Sequence, residues 1–298
     1  MDIAAACLSP AKPWPLEVLE PQPRRLALVV ASPHSGAAYP PEFVAASRLD
    51  PVALRRSEDS FIDEIFGAAP AVGAPLLRAL FPRAYVDPNR EPYELDPAMF
   101  ADTLPGYANT HSPRVAAGLG TIARVVATGR EIYRDKLRIA DALERIHGYY
   151  QPYHGALRRL VAETREGFGF CVLVDAHSMP SVGGPMDADA GRARVDVILG
   201  DVHGASCAPV VTDTAERTLR ALGYAVTRNN PYSGGFTTQN YGRPKRGVHA
   251  LQIEVNRALY MDEETIARKD EAIQRLRRDM GAVVQALGAI DREALAAA

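Results

Sequence analysis

Leu26-Ala-Leu-Val-Val-Ala-Ser32, stopped at once by Pro33-His34-Ser35-Gly36, is the stretch on which the fold reading turns. A short run that is apolar at every position suits a strand covered on both faces. The residues that end it are turn formers, and they leave a histidine at the strand's tip. Gly169-Phe-Cys-Val-Leu-Val-Asp175 has the same character and ends at Ala176-His177-Ser178. Val195-Asp-Val-Ile-Leu199 and His249-Ala-Leu-Gln-Ile-Glu-Val255 read as two more strands. Residues 75–80, 84–87 and 224–227 complete the set.

Helices are expected between them. Residues 51–66 form one, with Asp50 as N-cap and Pro51 in the first turn. Residues 136–147 and 152–165 form a helical pair that Pro152 either breaks or starts, and 208–222 and 262–287 are further helices. Residues 91–117, 179–194 and 229–247 read as loops, the last rich in glycine. Long loops of this kind are often functional. Strands alternating with helices imply a three-layer α/β/α fold around a mixed, mostly parallel sheet. Residues 1–25, with five prolines, are expected to be an irregular N-terminal arm, and 26–298 a single domain.

Composition narrows the class. The chain has 298 residues, 47% of them hydrophobic, which suits a packed core and not a disordered chain. Lys and Arg total 34 and Asp and Glu 36, a net charge of −2, which argues against a nucleic-acid partner. No apolar run reaches the roughly 18 residues of a membrane span. The start, with Asp2 and a short apolar stretch before Pro10, does not read as a secretory signal. Cys7, Cys171 and Cys207 are an odd count without a CxxC spacing, so a cytoplasmic enzyme is expected.

Ligands of open α/β sheets sit beyond the carboxyl ends of the strands. There the sequence places His34, His177 and Glu254. Two imidazoles at one sheet edge can supply part of a zinc site, whose usual third protein ligand would be a carboxylate. The segment Glu58-Asp59-Ser-Phe-Ile-Asp63-Glu64 offers several; on a helix Asp59 and Asp63 would share a face. A solvated acidic face is the plainer account of that spacing. His111, His147 and His203 read as ordinary hydrogen-bonded residues. Glu254, among Leu251, Ile253 and Val255, is either a general base of raised pKa or the partner of Arg257 or another arginine. Arg90, after Val86-Asp87-Pro88-Asn89, presents a fork for a substrate carboxylate or for an internal Asp87 or Asp96. The loop with Asn230, Tyr232 and Arg243 has the composition of a lid and lacks any phosphate-binding pattern.

Taken in order, several stretches resemble the N-formylglutamate amidohydrolase (deformylase) family. They are Ser32-Pro-His-Ser-Gly36, Glu58-Asp59 with Asp63-Glu64, Phe81-Pro-Arg-Ala-Tyr-Val-Asp-Pro-Asn-Arg90 and Pro152-Tyr-His154. Asp175-Ala-His-Ser-Met-Pro180, Asn230-Pro-Tyr-Ser-Gly-Gly235, Tyr241-Gly-Arg-Pro244 and Gln252-Ile-Glu-Val-Asn-Arg257 follow. The resemblance spans residues 26 to about 264 and implies a phosphorylase/hydrolase-like, zinc carboxypeptidase-like fold. It also implies one Zn2+ per chain held by His34 and His177, and Glu254 as catalytic carboxylate. The tight His-x-x-Glu spacing of the carboxypeptidases is absent, since Ser, Gly and Ala follow His34. Asp59 is therefore taken first as third ligand, Asp63 second and Glu58 behind them. Asn89 and Arg90 resemble the carboxypeptidase clamp for a substrate carboxylate, and Asn230, Tyr232 and Arg243 are added as substrate contacts. Arg83 or Arg243 is expected to face the developing oxyanion.

The expected activity is hydrolysis of N-formyl-L-glutamate to formate and L-glutamate, a step of histidine degradation in the family. The alternatives are a deacylase of another N-acyl amino acid, a carboxypeptidase on the same fold, or a metal-free protein that binds an acidic amino acid.

Overall fold

The computed structural model describes residues 15–185 and 187–296. Residues 1–14 of the expected arm, with Cys7, and Met186 of the loop 179–194 lie outside the described residues. The sheet has seven strands: β1 (Leu16–Leu19), β2 (Leu28–Ser32), β3 (Leu76–Ala79), β4 (Cys171–Met179), β5 (Val197–Gly200), β6 (Val226–Arg228) and β7 (Val248–Asn256). Their order is β1-β3-β2-β4-β7-β5-β6. The pairs β2–β3, β2–β4, β4–β7 and β5–β6 are parallel, while β1–β3 and β5–β7 are antiparallel. This is the mixed, mostly parallel sheet that the continuous apolar runs imply.

Every residue of β2, β4, β5 and β7 is buried. One face, with Val30, Val172, Val174, Leu251 and Ile253, is covered by the helices Pro209–Ala221 and Asp270–Gly288 through Val211, Ala215, Leu276 and Met280. The other face, with Val29, Ala31, Leu173 and Ala250, is covered by Gln151–Phe168 through Tyr153, Leu157 and Leu160. Each such Val, Leu, Ile or Met side chain contributes about 1.5–3 kcal/mol by leaving water.

Along the second face the chemistry changes partway. The β4–β7 register pairs Cys171 with Val248 and Leu173 with Ala250, then Asp175 with Gln252 and His177 with Glu254. Alternate residues of a strand share a face, so this face is apolar at one end and polar at the carboxyl edge. Apolar residues lock the register, and the lock presents the polar pairs side by side.

Several local expectations are corrected. The arm is not irregular throughout, since Leu16–Leu19 joins the sheet beside β3. Residues 84–87 form a turn, because Tyr85 N donates to Pro82 O and Asp87 N to Thr121 O in place of a strand ladder. Residues 51–66 are two short helices, Pro51–Arg55 and Ile62–Ile65, separated by a turn in which Phe61 is left-handed at φ 68°. Polar side chains compete with the helix there: Glu58 accepts from Arg55, Ser60 and Tyr39. The helical pair is continuous, with a π-helical turn at Ile146–Tyr150 between Ile139–Arg145 and Gln151–Phe168, so Pro152 sits in a first turn and breaks nothing. The glycine-rich loop contains the helix Phe236–Tyr241. The closing helix starts at Asp270, because Asp262 instead caps a turn by accepting from Glu264 N and Thr265 N. Among the described residues no helix is long and apolar enough to cross a membrane.

Candidate active site

His34 enters from the turn after β2, Asp59 from the turn between the two short helices, and His177 from within β4, which runs on to Met179 instead of stopping at Asp175. The first two segments are tied by a backbone bond from Asp59 N to His34 O, 3.1 Å. Asp59 Oδ2 lies 3.0 Å from His177 Nδ1 and 3.3 Å from His34 Nδ1. All three side chains are buried, and one ligand atom of each lies within 4.8 Å of the others. They form a group that could hold a metal ion.

The outer contacts of the group fit that use. Each imidazole turns Nδ1 to Asp59 and Nε2 to a second carboxylate, His34 to Asp87 Oδ1 at 2.7 Å and His177 to Asp175 Oδ2 at 3.1 Å. A carboxylate behind each ligating histidine fixes its tautomer and ring orientation. Asp59 Oδ1 in turn accepts from Arg257 Nη2 and Ser178 Oγ, 3.0 and 3.1 Å. Burial alone would raise the Asp59 carboxyl, but the bonds from His177 and His34 outweigh it and hold the group well below the usual carboxylate range. Asp87 is likewise held low, against burial, by Arg83, Arg90 and His34. His177 is raised despite burial by Asp175 and Asp59. Two imidazoles and one carboxylate are a donor set that suits a divalent ion, which would take the place of the proton on His177.

Glu254 faces this group from β7. Its carboxyl is pushed up to about 7, mainly by burial, with Asp59 and Asp175 adding and His177 and Arg83 opposing. Gln252 Nε2 donates to Glu254 Oε1 at 2.6 Å. Of the two accounts of this residue, the arginine partner is removed: Arg257 serves Asp59 and Ser178, and Glu254 has no salt bridge among the described residues. These residues open on a cavity of about 480 Å³, also lined by Arg83, Asn89, Arg90, Arg114 and Tyr232.

The N-formylglutamate amidohydrolase family model matches residues 26–261. The chain belongs to the N-formylglutamate amidohydrolase family. It is 30% identical to the N-formylglutamate deformylase of Pseudomonas aeruginosa over 252 residues, 83% of this chain and 87% of that one. It is 28% identical to the N-formylglutamate deformylase of Pseudomonas putida, covering 88% of this chain and 92% of that one. The crystal structure of N-formylglutamate amidohydrolase from Ralstonia eutropha JMP134 superposes with a TM-score of 0.83 at 37% identity, over 91% of this chain and 96% of that one.

The other residues expected in this amidohydrolase site fall into two groups. Arg83, Asn89, Arg90 and Tyr232 line the cavity. Arg83 donates to Asp87 Oδ2 at 2.8 Å. Asn89 is turned inward: Oδ1 accepts from Thr237 N, and Nδ2 donates to Asp175 Oδ2 at 3.4 Å, the carboxylate that holds His177, so it steadies that carboxylate as much as it faces substrate. Arg90 spends Nε on Leu119 O and Nη1 on Asn89 O. Arg194 lies over the ring of Tyr232 at 5.0 Å. The structure excludes the rest from the cavity. Asn230 is exposed, and Arg243, also exposed, donates to the carbonyls of Gln239 and Gly242. Asp63 instead pairs with Arg78 at 2.7 Å, and Glu58 with Arg55. Neither joins the histidines.

Sequence reasoning missed Asp175, Arg114, Ser178, Gln252 and the true partner of Arg257, and it offered Asp87 only as a partner for Arg90, which lies 3.7 Å from it, and not as the carboxylate that meets His34 and Arg83. Asp175 and Gln252 carried a signal, since each lies two residues before a recognised group on the same strand and so shares its face. Arg114 carried none.

Proposed function

We propose that this chain hydrolyses N-formyl-L-glutamate to formate and L-glutamate, as an N-formylglutamate deformylase in histidine degradation. The observation that carries the reading is the buried His34–Asp59–His177 group with Glu254 beside it, inside a cavity walled by arginines, in a chain whose relatives bear that name. One zinc ion would be held by His34 Nδ1, Asp59 Oδ2 and His177 Nδ1. When bound it would polarise the formamide carbonyl and acidify water. Glu254 takes the proton of the attacking water and returns it to the nitrogen as the C–N bond breaks. Burial without an ion-pair partner leaves this carboxyl able to accept the proton and give it back. Arg83, held by Asp87 at the cavity wall, faces the charge that develops on the formyl oxygen. Arg90 receives the α-carboxylate. Residues 26–298 act as one catalytic domain, and the buried free thiols Cys171 and Cys207 suit the reducing cytoplasm.

The test is formate or acid release from a panel of N-formyl, N-acetyl and N-succinyl amino acids. The reading stands if N-formyl-L-glutamate has the highest kcat/KM. It falls if an N-acetyl or N-succinyl substrate, or a peptide, is preferred.

A further inference from the structure

Four arginines line the cavity: Arg83, Arg90, Arg114 and Arg257. Three of them have protein partners. Arg83 holds Asp87, Arg257 holds Asp59 and Ser178, and Arg90 holds two backbone carbonyls with Asp87 3.7 Å away. Arg114 differs, since among the described residues its guanidinium has no hydrogen-bond or ion-pair partner. Yet it is only partly exposed, and it stands beside a second cation. Leu119 links the two: Leu119 N donates to Arg114 O at 2.8 Å, and Leu119 O accepts from Arg90 Nε at 2.8 Å. Burial and the nearby charges of Arg83 and Arg114, against the pull of Asp87, bring the Arg90 guanidinium down to about 10.

Two neighbouring guanidinium groups in a half-enclosed cavity repel each other and lose hydration, and an anionic ligand removes both costs. The support under Arg114 is ordered. Ser112 Oγ accepts from Val115 N, Gly118 N donates to Val115 O, and Arg124 N donates to Gly118 O. Such bracing is what a fixed recognition group needs.

We infer that Arg114 binds the side-chain carboxylate of an acidic N-formyl amino acid and so sets the preference for glutamate-type over neutral substrates. The inference rests on the proposed deformylase reading and assigns it a specificity residue. The order of the two arginines decides which carboxylate each takes. Arg90 adjoins Asp87, the partner of His34, and Asn89, the neighbour of His177. The α-carboxylate is attached to the carbon that bears the scissile nitrogen, so it belongs to this inner cation. The side-chain carboxylate lies two methylene groups farther out and meets Arg114, on the short helix Pro113–Ala116.

The test compares N-formyl-L-glutamate with N-formyl-L-glutamine, its neutral isostere, in wild type, Arg114→Gln and Arg114→Lys. For Arg114→Gln, kcat/KM on formylglutamate is expected to fall by about 10- to 150-fold through KM, the size of one lost charged hydrogen bond. The neutral substrate, which has no carboxylate to lose, should fall by less than about threefold, and Arg114→Lys should recover part of the loss. An equal fall on both substrates, or no fall on either, overturns the assignment. Calorimetric binding of glutarate separates this outcome from failure of the deformylase reading. If wild type hydrolyses neither formyl compound but binds glutarate about tenfold more tightly than Arg114→Gln does, the activity is wrong and the carboxylate site stands. Absent or equal glutarate binding overturns the site.

Discussion

His177 and Glu254 are register partners on the parallel strands β4 and β7, so their side chains leave the same face of the sheet side by side. The metal-ligand candidate and the base candidate are thus fixed to each other by backbone hydrogen bonds and not by a mobile loop. Glu254→Gln keeps the shape and the bond from Gln252 but cannot accept a proton. Metal content is expected to stay at the wild-type level while kcat falls by about 10²–10⁴. A Gln variant within a few-fold of wild type in kcat would assign Glu254 a structural role.

The metal group makes a discriminating set. His34→Ala, His177→Ala and Asp59→Asn are each expected to abolish bound zinc and activity, whereas Asp63→Asn and His147→Ala should retain both. Asp87→Asn and Asp175→Asn, which neutralise the carboxylates behind the imidazoles, should weaken zinc affinity or activity by about 10–100-fold, and Asp87→Asn also loosens Arg83. Metal analysis of purified protein with competitive chelation reads all of these. Zinc retained in Asp59→Asn and lost in Asp63→Asn would reverse the choice of third ligand.

Gly235 reaches the site through Asn89. A Cβ placed at Gly235 would fall on the Asn89 side-chain amide, although the backbone there, at φ −92°, suits any residue. Asn89 is buried and bonded to Thr237 N, so it cannot yield freely. Gly235→Ala should therefore lower kcat/KM by at least tenfold and cost about 1–3 kcal/mol of stability as an overpacked site. Gly204, where a Cβ meets nothing within 4 Å, is the comparison; having a left-handed backbone at φ 83°, Gly204→Asn tests it with the residue that best tolerates that region. Urea unfolding and steady-state kinetics on both variants check the contrast, and equal losses would refute it.

His154 supplies a pH dependence of stability. It is buried on the helix Gln151–Phe168, with Nε2 2.8 Å from Pro88 O and Nδ1 2.9 Å from the Tyr241 hydroxyl. Burial lowers its pKa to about 4, against roughly 6.5 in the unfolded chain. The folded state keeps the ring neutral, so between these values the unfolded chain binds more protons. The contribution is fully present above about pH 6.5 and is lost as the pH falls towards 4. Between pH 7 and pH 5 the loss from this group is about 2 kcal/mol. Urea denaturation of His154→Gln should show a lower stability at pH 7 but a shallower decline towards pH 5. A decline as steep as that of wild type would mean the ring does not resist protonation.

His154 is also one of three side chains by which the long helical run holds the segment that leads to Arg90. Arg145, Tyr150 and His154 meet the carbonyls of Tyr85, Arg90 and Pro88 at 3.3, 2.8 and 2.8 Å. Tyr150→Phe removes only the bond to Arg90 O. It is expected to raise KM for formylglutamate several-fold with kcat and zinc nearly unchanged, and a fall in kcat alone would contradict that division.

Much of this protein was determined by sequence alone, and the reason is local. A run such as Leu28–Ser32 or Cys171–Asp175 can satisfy its apolar side chains only when covered on both faces, so the layered α/β fold was legible without coordinates. The polar residues that interrupt such runs, His34, His177 and Glu254, were legible for the same reason, because a buried polar group needs a purpose or a partner. Tertiary structure alone decided which acid joins the histidines. Asp59 and Asp63 look alike on an assumed helix, and the left-handed turn at Phe61 sends one to His34 and His177 and the other to Arg78. It also gave Arg257 to Asp59 rather than to Glu254, drew Arg114 from a featureless loop to the side of Arg90, and left Arg243 in solvent. These choices depend on where loops return across a sheet whose register is fixed elsewhere. No local periodicity records that path, since the contacts that set it join residues tens to hundreds of positions apart.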